Sequence, residues 1–327
     1  MKLIIQIPCY NEAQSLPQTV ADLPRHVPGI DCIETLIIDD GSTDGTADVA
    51  RSLGINHVVQ HRQNMGLARA FQTGLDASLR LGADIIVNTD ADNQYPGHYI
   101  PELVAPVLAG TADIVIANRQ VDNIEHFSPF KKLLQKLGSW TVRTVSGTDV
   151  PDAVSGFRAY SRDTALRLHI LTNFSYTLDT IIQAGKQGLI IQSIPVETNG
   201  PIRPSRLQRS MGHFIKAQAS TIVRLYAFYE PLRTFTYIAL PFLLTGLALW
   251  GRFFYAYLVH ASNQFIQSVT IGTGLLLVGL FIFLFGVQAD ITSKHRQMTQ
   301  ETLYRLKKLE LEQNRAAKYP LENDPSL

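Results

Sequence analysis

The stretch ADIIVNTDADNQYP, Ala83–Pro96, begins as an apolar run and ends in a cluster of side chains that carry oxygen atoms. Its first part, Ala83–Asn88, has the length and the Ile and Val content of a buried strand. Asp90, Asp92 and Gln94 then occupy every second position, and in extended chain such side chains point the same way. The stretch therefore predicts a strand whose end brings two carboxylates and an amide to one point.

Similar apolar runs alternate with helical patterns through the first two hundred residues. The further runs are Leu3–Ile7, Thr35–Asp39, His57–Gln60 and Ala112–Asn118, and the helical patterns lie at about 15–25, 45–53, 66–81 and 99–109. This alternation predicts an α/β fold whose mostly parallel sheet is covered on both faces. Ligands of such sheets bind beyond the carboxyl ends of the strands. The polar clusters PCYNEA and DDGSTDGT follow the first two strands, at those ends.

Composition excludes several classes of protein. Among 327 residues, 29 Lys and Arg stand against 28 Asp and Glu, so the net charge of +1 gives no sign of nucleic-acid binding. The two cysteines, Cys9 and Cys32, form neither a disulfide framework nor a metal-ligand spacing, which suits a reducing compartment. The opening MKLIIQIPCYNEA reads as a first strand and not as a signal peptide.

Two apolar stretches near the C-terminus, Thr234–Gly251 and Val269–Val287, predict a two-helix membrane hairpin. A buried helical hairpin of a soluble domain is the alternative, but stretches so long and apolar on all sides are rare in soluble cores. Arg252 lies near the end of the first span, but the link VHASNQFIQS (259–268) has no Lys or Arg, whereas Arg224 and Arg233 precede the hairpin and Lys294 follows it. By the positive-inside rule, both termini are expected in the cytoplasm.

The polar clusters suggest particular chemistry. Asp90, Asp92 and Gln94 suit Mg²⁺ or Mn²⁺, which bridge protein carboxylates and substrate phosphates, although an Asp-x-Asp pair alone is more often an ordinary turn. Asp39 and Asp40 could hold a base or ribose. The neighbouring 42–45 segment is interpreted as a turn into a helix, capped by Asp44 or Ser42. Further candidates are Tyr10 for stacking, Glu12 as a hydrogen-bond acceptor, and Asn64 and Gly66 beside a diphosphate at a helix N-terminus.

These motifs resemble the family 2 glycosyltransferases of the GT-A fold, whose Rossmann-like domain binds a nucleotide-diphosphate sugar. The likeness rests on Pro8-Cys9-Tyr10-Asn11-Glu12, Asp39-Asp40-Gly41-Ser42, Asn64-Met65-Gly66 and Asp90-Ala91-Asp92. The narrower resemblance is to polyprenyl-phosphate glycosyltransferases such as dolichyl-phosphate mannose synthase. It rests on Gln94, Asn118-Arg119, the stretch DAVSGFRAYSR from Asp152 to Arg162, and a basic segment leading into a membrane hairpin.

The resemblance implies a role for each matched residue. The nucleotide would be bound by Pro8, Tyr10, Asn11, Glu12, Asp39, Asp40, Asn64, Gly66, Asp90 and Ala91, the metal by Asp90, Asp92 and Gln94, and the acceptor phosphate by Arg119, Ser155, Arg158 and Arg203. A structural salt bridge is an equal alternative for Arg158. Asp92, Arg119 and Asp152 would be catalytic, with Asp152 orienting the acceptor or stabilising oxocarbenium character. The expected reaction is metal-dependent transfer of a hexosyl group from a UDP- or GDP-linked sugar to polyprenyl phosphate, with inversion.

The predicted organisation has four parts. Residues 1–200 would form the catalytic domain, 201–233 basic amphipathic helices at the membrane surface, 234–290 the two spans, and 291–327 a cytoplasmic helix and tail. That last helix could lie near the membrane or pair with a second copy in a homo-oligomer. A processive polysaccharide synthase is disfavoured because neither Trp140 nor Trp250 follows an Arg, as its Gln-x-x-Arg-Trp segment requires. A non-catalytic membrane protein that binds nucleotide sugar is the remaining alternative.

Overall fold

The computed structural model describes residues 1–120, 142–143, 146–170, 176–200, 227–260 and 265–318. The chain divides into two compact units. The first consists of Met1–Gln218 together with Thr302–Leu327, and the second of Ala219–Glu301. The basic segment 201–226, including Arg203, lies outside the described residues, so the predicted interfacial helices and that acceptor-phosphate residue have no structural account here.

A seven-stranded sheet forms the centre of the first unit, in the order β3-β2-β1-β4-β6-β5-β7. The strands are β1 (Lys2–Cys9), β2 (Cys32–Asp39), β3 (His57–Gln60), β4 (Ile85–Asn88), β5 (Ile114–Asn118), β6 (Arg158–Ser161) and β7 (Ile191–Pro195). Four of the six pairings are parallel and two, both made by β6, are antiparallel. The predicted α/β fold with a mostly parallel sheet is confirmed.

Helices cover this sheet; the first four lie where the sequence predicts them, and the last two were not predicted. They are α1 (Leu16–Ala21), α2 (Thr46–Ser52), α3 (Leu67–Arg80), α4 (Ile100–Leu108), α5 (Arg162–Arg167) and α6 (Tyr176–Lys186), with a 3₁₀ turn at Gly97–Tyr99. The first helix is shorter than predicted and is capped at Asp22, because Pro24 disfavours helical backbone at Leu23. The long helix α3 buries an apolar stripe that includes Phe71 and Leu75.

Strand register gathers the polar clusters at one edge of the sheet. Cys9 pairs with Asp39, and Asp39 pairs with Gln60, so β1, β2 and β3 end side by side. On the other side of β1, Gln6 pairs with Asn88, which places the end of β4 next to the end of β1. The prediction that the polar clusters follow the carboxyl ends of neighbouring strands is confirmed.

Strands β6 and β7 were not predicted. The residues of β6, Arg-Ala-Tyr-Ser, are too few and too mixed in polarity to indicate a strand. The strand nevertheless inserts between β4 and β5, where Ala159 and Tyr160 are fully buried. This insertion separates two strands that follow each other along the chain and brings the segment before Arg158 to the functional edge of the sheet.

The second unit contains α7 (Pro231–His260) and most of α8 (Ile266–Lys318). The segments Pro231–Val259 and Ile266–Gln313 are long and apolar enough to cross a membrane. Helix α7 continues through Pro241, as a membrane helix allows. Helix α8 extends well beyond the predicted end of the second span, so the expected boundary at residue 290 falls inside one continuous helix.

Glycines on α8 allow these two helices to pack closely. A Cβ atom would lie 2.8 Å from Trp250 Cδ1 if placed on Gly272, 2.8 Å from Leu243 Cδ2 on Gly279, and 2.6 Å from Phe235 Cβ on Gly286. The three glycines are spaced by seven residues, the repeat of a left-handed helix pair, and small residues are typical of membrane helix contacts. The hairpin therefore has a defined glycine seam (Gly272, Gly279 and Gly286) facing α7.

We expect Gly279→Leu to destabilise the hairpin by about 1–3 kcal/mol, the usual cost of overpacking. Gly274→Leu is the matched control, because a Cβ atom at Gly274 has nothing within 4 Å. Thermal unfolding of the detergent-solubilised protein, followed by tryptophan emission, measures the difference. Trp250 reports on the seam because its Nε1 donates to Thr273 Oγ1 at 3.1 Å. Equal midpoints for the two variants would show that the seam does not set the packing.

The C-terminal end of α8 packs on the first unit, to which Thr302–Leu327 belongs. Tyr304 donates to Asp163 Oδ1 at 2.7 Å, and the Arg167 guanidinium lies 4.3 Å from the centre of the Tyr304 ring. Lys307 Nζ lies 2.8 Å from Asp76 Oδ1 on α3. These contacts with α3 and α5 were not anticipated for the C-terminal helix. Pairing of this helix with a second copy stays a prediction.

Candidate active site

The loops after β1 and β2 are joined by hydrogen bonds. Asn11, at φ 55°, donates through its backbone N to Ser42 Oγ at 2.9 Å, and its Oδ1 accepts from Thr43 N at 2.9 Å. Glu12 N donates to Thr46 Oγ1 at 2.9 Å. Asn11 and Glu12 therefore hold the two loops together at the edge of the sheet.

Other parts of the predicted nucleotide pocket differ in exposure. Tyr10, just after β1, is 42% exposed, whereas Pro8 is buried within β1. In the 42–45 segment, Asp44 Oδ1 accepts from Thr46 N at 3.0 Å at the beginning of α2. This agrees with the interpretation of 42–45 as a turn into a helix, although the capping position itself is Gly45.

Asp39 and Asp40 have different surroundings although they are adjacent. Asp39 Oδ1 accepts from Ser42 N at 3.0 Å, and its fully buried Oδ2 has no hydrogen-bond partner among the described residues. A buried carboxylate oxygen without a partner is costly, which points to a ligand donor. Asp40 instead accepts from the backbone N–H groups of Met65 and Gly66 at 2.9 and 2.8 Å. This geometry replaces the expected nucleotide contact of Asp40 with contacts inside the protein.

The alternation of side chains suggested that the segment from Asp90 to Gln94 is extended, but the structure shows that it is not. Strand β4 ends at Asn88, a turn follows, and Asn93 has φ 53°. Asp92 and Gln94 still converge: Gln94 Nε2 donates to Asp92 Oδ2 at 2.9 Å, and Gln94 N donates to Asp92 Oδ1 at 3.2 Å. The convergence of Asp92 and Gln94, one part of the predicted cluster, thus arises through a turn and not through the alternation of an extended strand.

Two contacts from outside fix this turn. Thr19 Oγ1 donates to the carbonyl oxygen of Ala91 at 2.9 Å, so Ala91 is held through its backbone. Asn199 Nδ2, in the segment after β7, donates to the carbonyl oxygen of Asn93 at 2.8 Å. Nothing in the sequence near Asn199 indicated this role, because the two segments meet only through the order of the strands.

Asp90 is half-buried and has several charges nearby. A Cβ atom on Gly156 would lie 3.1 Å from Asp90 Oδ1 and 2.7 Å from the Tyr176 hydroxyl oxygen, so glycine is required for this approach. Burial and then the Asp92 carboxylate raise the pKa of Asp90 to about 7, although Arg119 opposes the shift. A cation between the two carboxylates would relieve this repulsion, so Asp90 and Asp92 fit a hard divalent ion.

The protein supplies only part of a metal coordination shell. In the described parts of the chain, no group of three or more His, Cys, Asp or Glu side chains could hold a metal ion. The groups available to a metal ion at this turn are the carboxylates of Asp90 and Asp92 and the side-chain amide of Gln94. That limited set suits Mg²⁺ or Mn²⁺ bound jointly with substrate phosphates, and it does not suit a closed structural site.

We expect Asp90→Asn to stabilise the metal-free protein at pH 8. The native carboxyl retains its proton up to about pH 7, whereas an unfolded Asp loses it near pH 4, so the wild-type stability falls as the pH rises between these values. Since one unit of pKa shift corresponds to about 1.4 kcal/mol, the gain at pH 8 should be at least about 1 kcal/mol. Thermal unfolding with a chelator at pH 5 and pH 8 tests this. A gain that is equal at both pH values would contradict it.

Arg119 and Asp152 form a bidentate ion pair across the edge of the sheet. Arg119 Nε donates to Asp152 Oδ2 at 2.7 Å, and its Nη2 donates to Oδ1 at 2.9 Å. The side chains are only 14% and 3% exposed. Burial alone would raise the pKa of Asp152, but the hydrogen bonds and charge of Arg119 outweigh it and lower the pKa. Asp152 is therefore held as a carboxylate that orients the guanidinium.

Arg158 is placed where it cannot contact an acceptor phosphate. The side chain is fully buried, and its guanidinium donates to Ser155 O, Ala153 O, Thr177 O and Thr180 Oγ1 at 2.7–2.9 Å. These contacts correct the expected ligand role, and they also differ from the salt bridge considered as the alternative. Arg158 shapes the segment 152–157, in which Ser155 is fully buried as well.

A buried polar network that sequence analysis missed supports the same segment. Gln6 Nε2 donates to Asn88 Oδ1 at 2.9 Å, and Asn88 Nδ2 donates to Gly156 O at 2.9 Å and to the Tyr176 hydroxyl at 3.2 Å. Tyr95 contributes a further contact, since its hydroxyl accepts from Gly156 N at 3.4 Å. The one visible signal was Gln6, a polar residue inside an apolar strand.

The N-terminus of α3 also lies at this edge of the sheet. Gly66, at φ 92°, precedes the first helical residue, Leu67, and Asn64 is exposed in the same loop. The first N–H groups of a helix form a natural site for an anion. Asn64 and Gly66 therefore lie as expected, at a helix N-terminus beside the end of β2.

A comparison with models of protein families shows which family the chain belongs to. The model of glycosyl transferase family 2 matches residues 4–167, about half of the protein. The chain belongs to glycosyl transferase family 2. The match runs from within β1 to beyond β6. It therefore contains Asp39, the Arg119–Asp152 pair and the turn of residues 90–94, which we call the carboxylate turn.

Two relatives of this glycosyltransferase are named for undecaprenyl phosphate. An undecaprenyl-phosphate mannosyltransferase of Micrococcus luteus is 31% identical over 206 residues, covering 60% of this chain and 83% of the relative. An undecaprenyl-phosphate 4-deoxy-4-formamido-L-arabinose transferase of Salmonella choleraesuis is 28% identical over 319 residues, covering 93% of this chain and 94% of the relative. The second likeness covers nearly the whole of both proteins.

Among solved structures, glucosyl-3-phosphoglycerate synthase from Mycobacterium tuberculosis superposes with a TM-score of 0.54 at 21% identity. The match covers 69% of this chain and 79% of that protein, which was crystallised with Mn²⁺, UDP and glucosyl-3-phosphoglycerate. At this level of identity the likeness concerns the fold. It confirms the GT-A class of the first unit.

Proposed function

We propose that this glycosyltransferase moves a hexosyl group from a nucleoside-diphosphate sugar to polyprenyl phosphate at a membrane. The observation that carries the proposal is that the carboxylate turn and the segment 152–157 lie together. A Cβ atom on Gly156 would lie 3.1 Å from Asp90 Oδ1, and Asp152 at the start of the same segment holds Arg119. A negatively charged acceptor entering beside carboxylates needs a cation, and arginine offers paired donors. The named acceptors of both relatives support the same choice.

The donor nucleotide would occupy the edge of β1 and β2. The exposed Tyr10 ring would stack on the base, and the unpartnered Asp39 Oδ2 would accept a hydrogen bond from it. The diphosphate would lie toward Asn64, Gly66 and the first N–H groups of α3. The choice between a uridine and a guanosine donor is left to experiment.

The site fits a divalent cation held by Asp90, Asp92 and Gln94, with Mg²⁺ and Mn²⁺ as candidates. When bound, such a cation neutralises charge that develops on a departing diphosphate. The residues of the chain prepare this site: Gln94 fixes the Asp92 carboxylate, Gly156 encloses Asp90, and Asn199 holds the turn from outside.

The acceptor phosphate would approach Arg119. Because Asp152 engages Nε and one N–H of Nη2 of Arg119, the donors that would face a phosphate are those of Nη1 and the second N–H of Nη2. A phosphate monoester already carries negative charge near pH 7, so its oxygen can attack the anomeric carbon without a general base. Asp152, with both oxygens accepting from Arg119, would orient that cation and not remove a proton. Attack in line with the leaving diphosphate gives an inverted linkage.

The two apolar helices would anchor the enzyme in the cell membrane with the catalytic domain and both termini in the cytoplasm. Basic residues mark the predicted cytoplasmic ends: Arg233 near the start of α7, and Lys294 and Arg296 on α8. The Arg296 guanidinium lies 3.7 Å from the centre of the Phe228 ring, an arrangement suited to the membrane interface.

The test is transfer by the purified full-length protein. It is incubated with undecaprenyl phosphate, Mg²⁺ or Mn²⁺, and a panel of labelled UDP- and GDP-sugars, and the product is extracted into organic solvent. Labelled lipid with inverted anomeric configuration, lost on chelation, supports the proposal. Labelled polymer would indicate a polysaccharide synthase, retained configuration would refute single displacement, and no product from any donor would reject the acceptor class.

A further inference from the structure

The Asp40 carboxylate is enclosed by the segment His61–Gly66, which we call the 61–66 loop. Asp40 is only 3% exposed, and its backbone N donates to Cys9 O at 2.8 Å, which fixes it at the end of the sheet. Its Oδ1 contacts His61 Nδ1 at 2.8 Å and accepts from Met65 N at 2.9 Å, while Oδ2 accepts from Gly66 N at 2.8 Å. One carboxylate thus binds both ends of the loop.

His61 is held on two sides and at its backbone. Its N donates to Asp39 O at 2.8 Å, and its Nε2 lies 3.0 Å from Thr73 Oγ1 on α3. Because the Asp40 carboxylate can only accept, Nδ1 carries the hydrogen, and Nε2 is left to accept from the Thr73 hydroxyl in the neutral ring. The imidazole, 10% exposed, therefore links the end of β2 to α3.

Gly41 brings the backbone of this loop still closer. Gly41 has φ 71°, and a Cβ atom there would lie 2.4 Å from the carbonyl carbon of Gln63 and 2.7 Å from Asn64 N. Only glycine permits this backbone approach. The 61–66 loop is thereby packed on the strand end just before it delivers Asn64 and Gly66 to the start of α3.

We propose that Asp40 and His61 are positioning residues that hold the 61–66 loop in the conformation required for donor binding. Neither side chain touches the donor; both act through the backbone N–H groups and Asn64 at the start of α3. The inference rests on the proposed function for its donor. The neighbouring residues Asp39 and Asp40 thus have different roles: Asp39, the last residue of β2, is directed to the ligand, and Asp40, just after the strand, is directed to the loop.

The test compares Asp40→Asn, His61→Ala and His61→Asn in the full-length protein. Asp40→Asn places an amide group against backbone N–H donors, and His61→Ala removes both ring contacts. His61→Asn retains a donor near the position of Nδ1 and should restore much of the effect. Asp48→Asn on α2, where the carboxylate is 85% exposed, is the matched control.

We expect hydrogen exchange in residues 61–70 to accelerate in Asp40→Asn and His61→Ala, less in His61→Asn, and not in the control. The donor KM should rise about tenfold or more in the first two variants, as expected when hydrogen bonds to a charged group are lost, with the acceptor KM little changed. A purely structural role would lower the unfolding midpoint without raising the donor KM of the folded fraction. Should Asp40→Asn fail to fold, the two His61 variants decide.

Two results would overturn the proposal: unchanged exchange in the loop, or faster exchange with an unchanged donor KM. The proposed function can fail separately, if the wild-type protein transfers no sugar from any donor. In that case the exchange measurement still decides whether Asp40 and His61 hold the loop, and calorimetric binding of UDP and GDP replaces the KM. Weaker nucleotide binding in His61→Ala than in His61→Asn then supports the inference, and equal binding overturns it.

Discussion

Asp92→Ala should reduce sugar transfer by about 10³-fold or more. The substitution removes one of two carboxylates available to a cation and leaves Gln94 without its partner, whose two hydrogen bonds measure 2.9 and 3.2 Å. Electrostatic stabilisation by a bound metal contributes several kcal/mol to the transition state, and about 1.4 kcal/mol corresponds to a factor of ten in rate. Initial rates across a titration of Mg²⁺ and Mn²⁺ measure the loss, which excess metal should restore only in small part.

Asp48→Ala is the matched control for this experiment, because it removes a carboxylate that is 85% exposed and paired only at the surface with Arg51. Gln94→Ala should give an intermediate result, with a raised metal requirement and a smaller loss of rate, since the two carboxylates remain. Near-normal turnover by pure, folded Asp92→Ala would remove the metal assignment. That result would not change the assignment of the fold or of the family.

The arrangement of the first unit could be predicted because its signals are local and repeated. Each apolar run in the first 120 residues became a strand, and each polar cluster after a run was brought to the same edge. The position of β6 could not be predicted, because four residues of mixed polarity carry no periodic signal. Its burial depends on β4 and β5, which are distant in sequence.

The sequence predicted most of the residues that form the site, but it predicted the role of each residue less well. Asp39 and Asp40 look alike in sequence, yet one has an unpartnered buried oxygen and the other is saturated by the 61–66 loop. Arg158 looked like a phosphate ligand because arginine usually serves that purpose, but carbonyl oxygens from two segments surround it. Roles of this kind depend on which way a side chain points, and that is fixed only once distant segments pack.

The role of Arg119 likewise depends on the orientation of its side chain, which Asp152 fixes. We expect Arg119→Lys to lower kcat/KM for the acceptor about 10²-fold. Lysine keeps the charge but cannot reproduce the pair of bonds from Nε and Nη2 to Asp152 while still presenting a donor to phosphate. The donor KM should change little, because the carboxylate turn and the start of α3 are not altered. Arg51→Lys, at a pair whose side chains are 55% and 85% exposed, is the control and should behave as wild type.

Asp152→Asn separates orientation from charge at the same pair. Breaking a buried pair leaves an uncompensated cation, so we expect about 3–5 kcal/mol of destabilisation together with a loss of acceptor turnover. If Asp152 acts only by orienting Arg119, the double variant with Arg119→Lys should lose little more activity than Arg119→Lys alone. Fully additive losses would instead indicate that Asp152 contacts the acceptor or the reacting sugar directly. Steady-state kinetics on the four proteins, each with its unfolding midpoint, distinguishes these two roles.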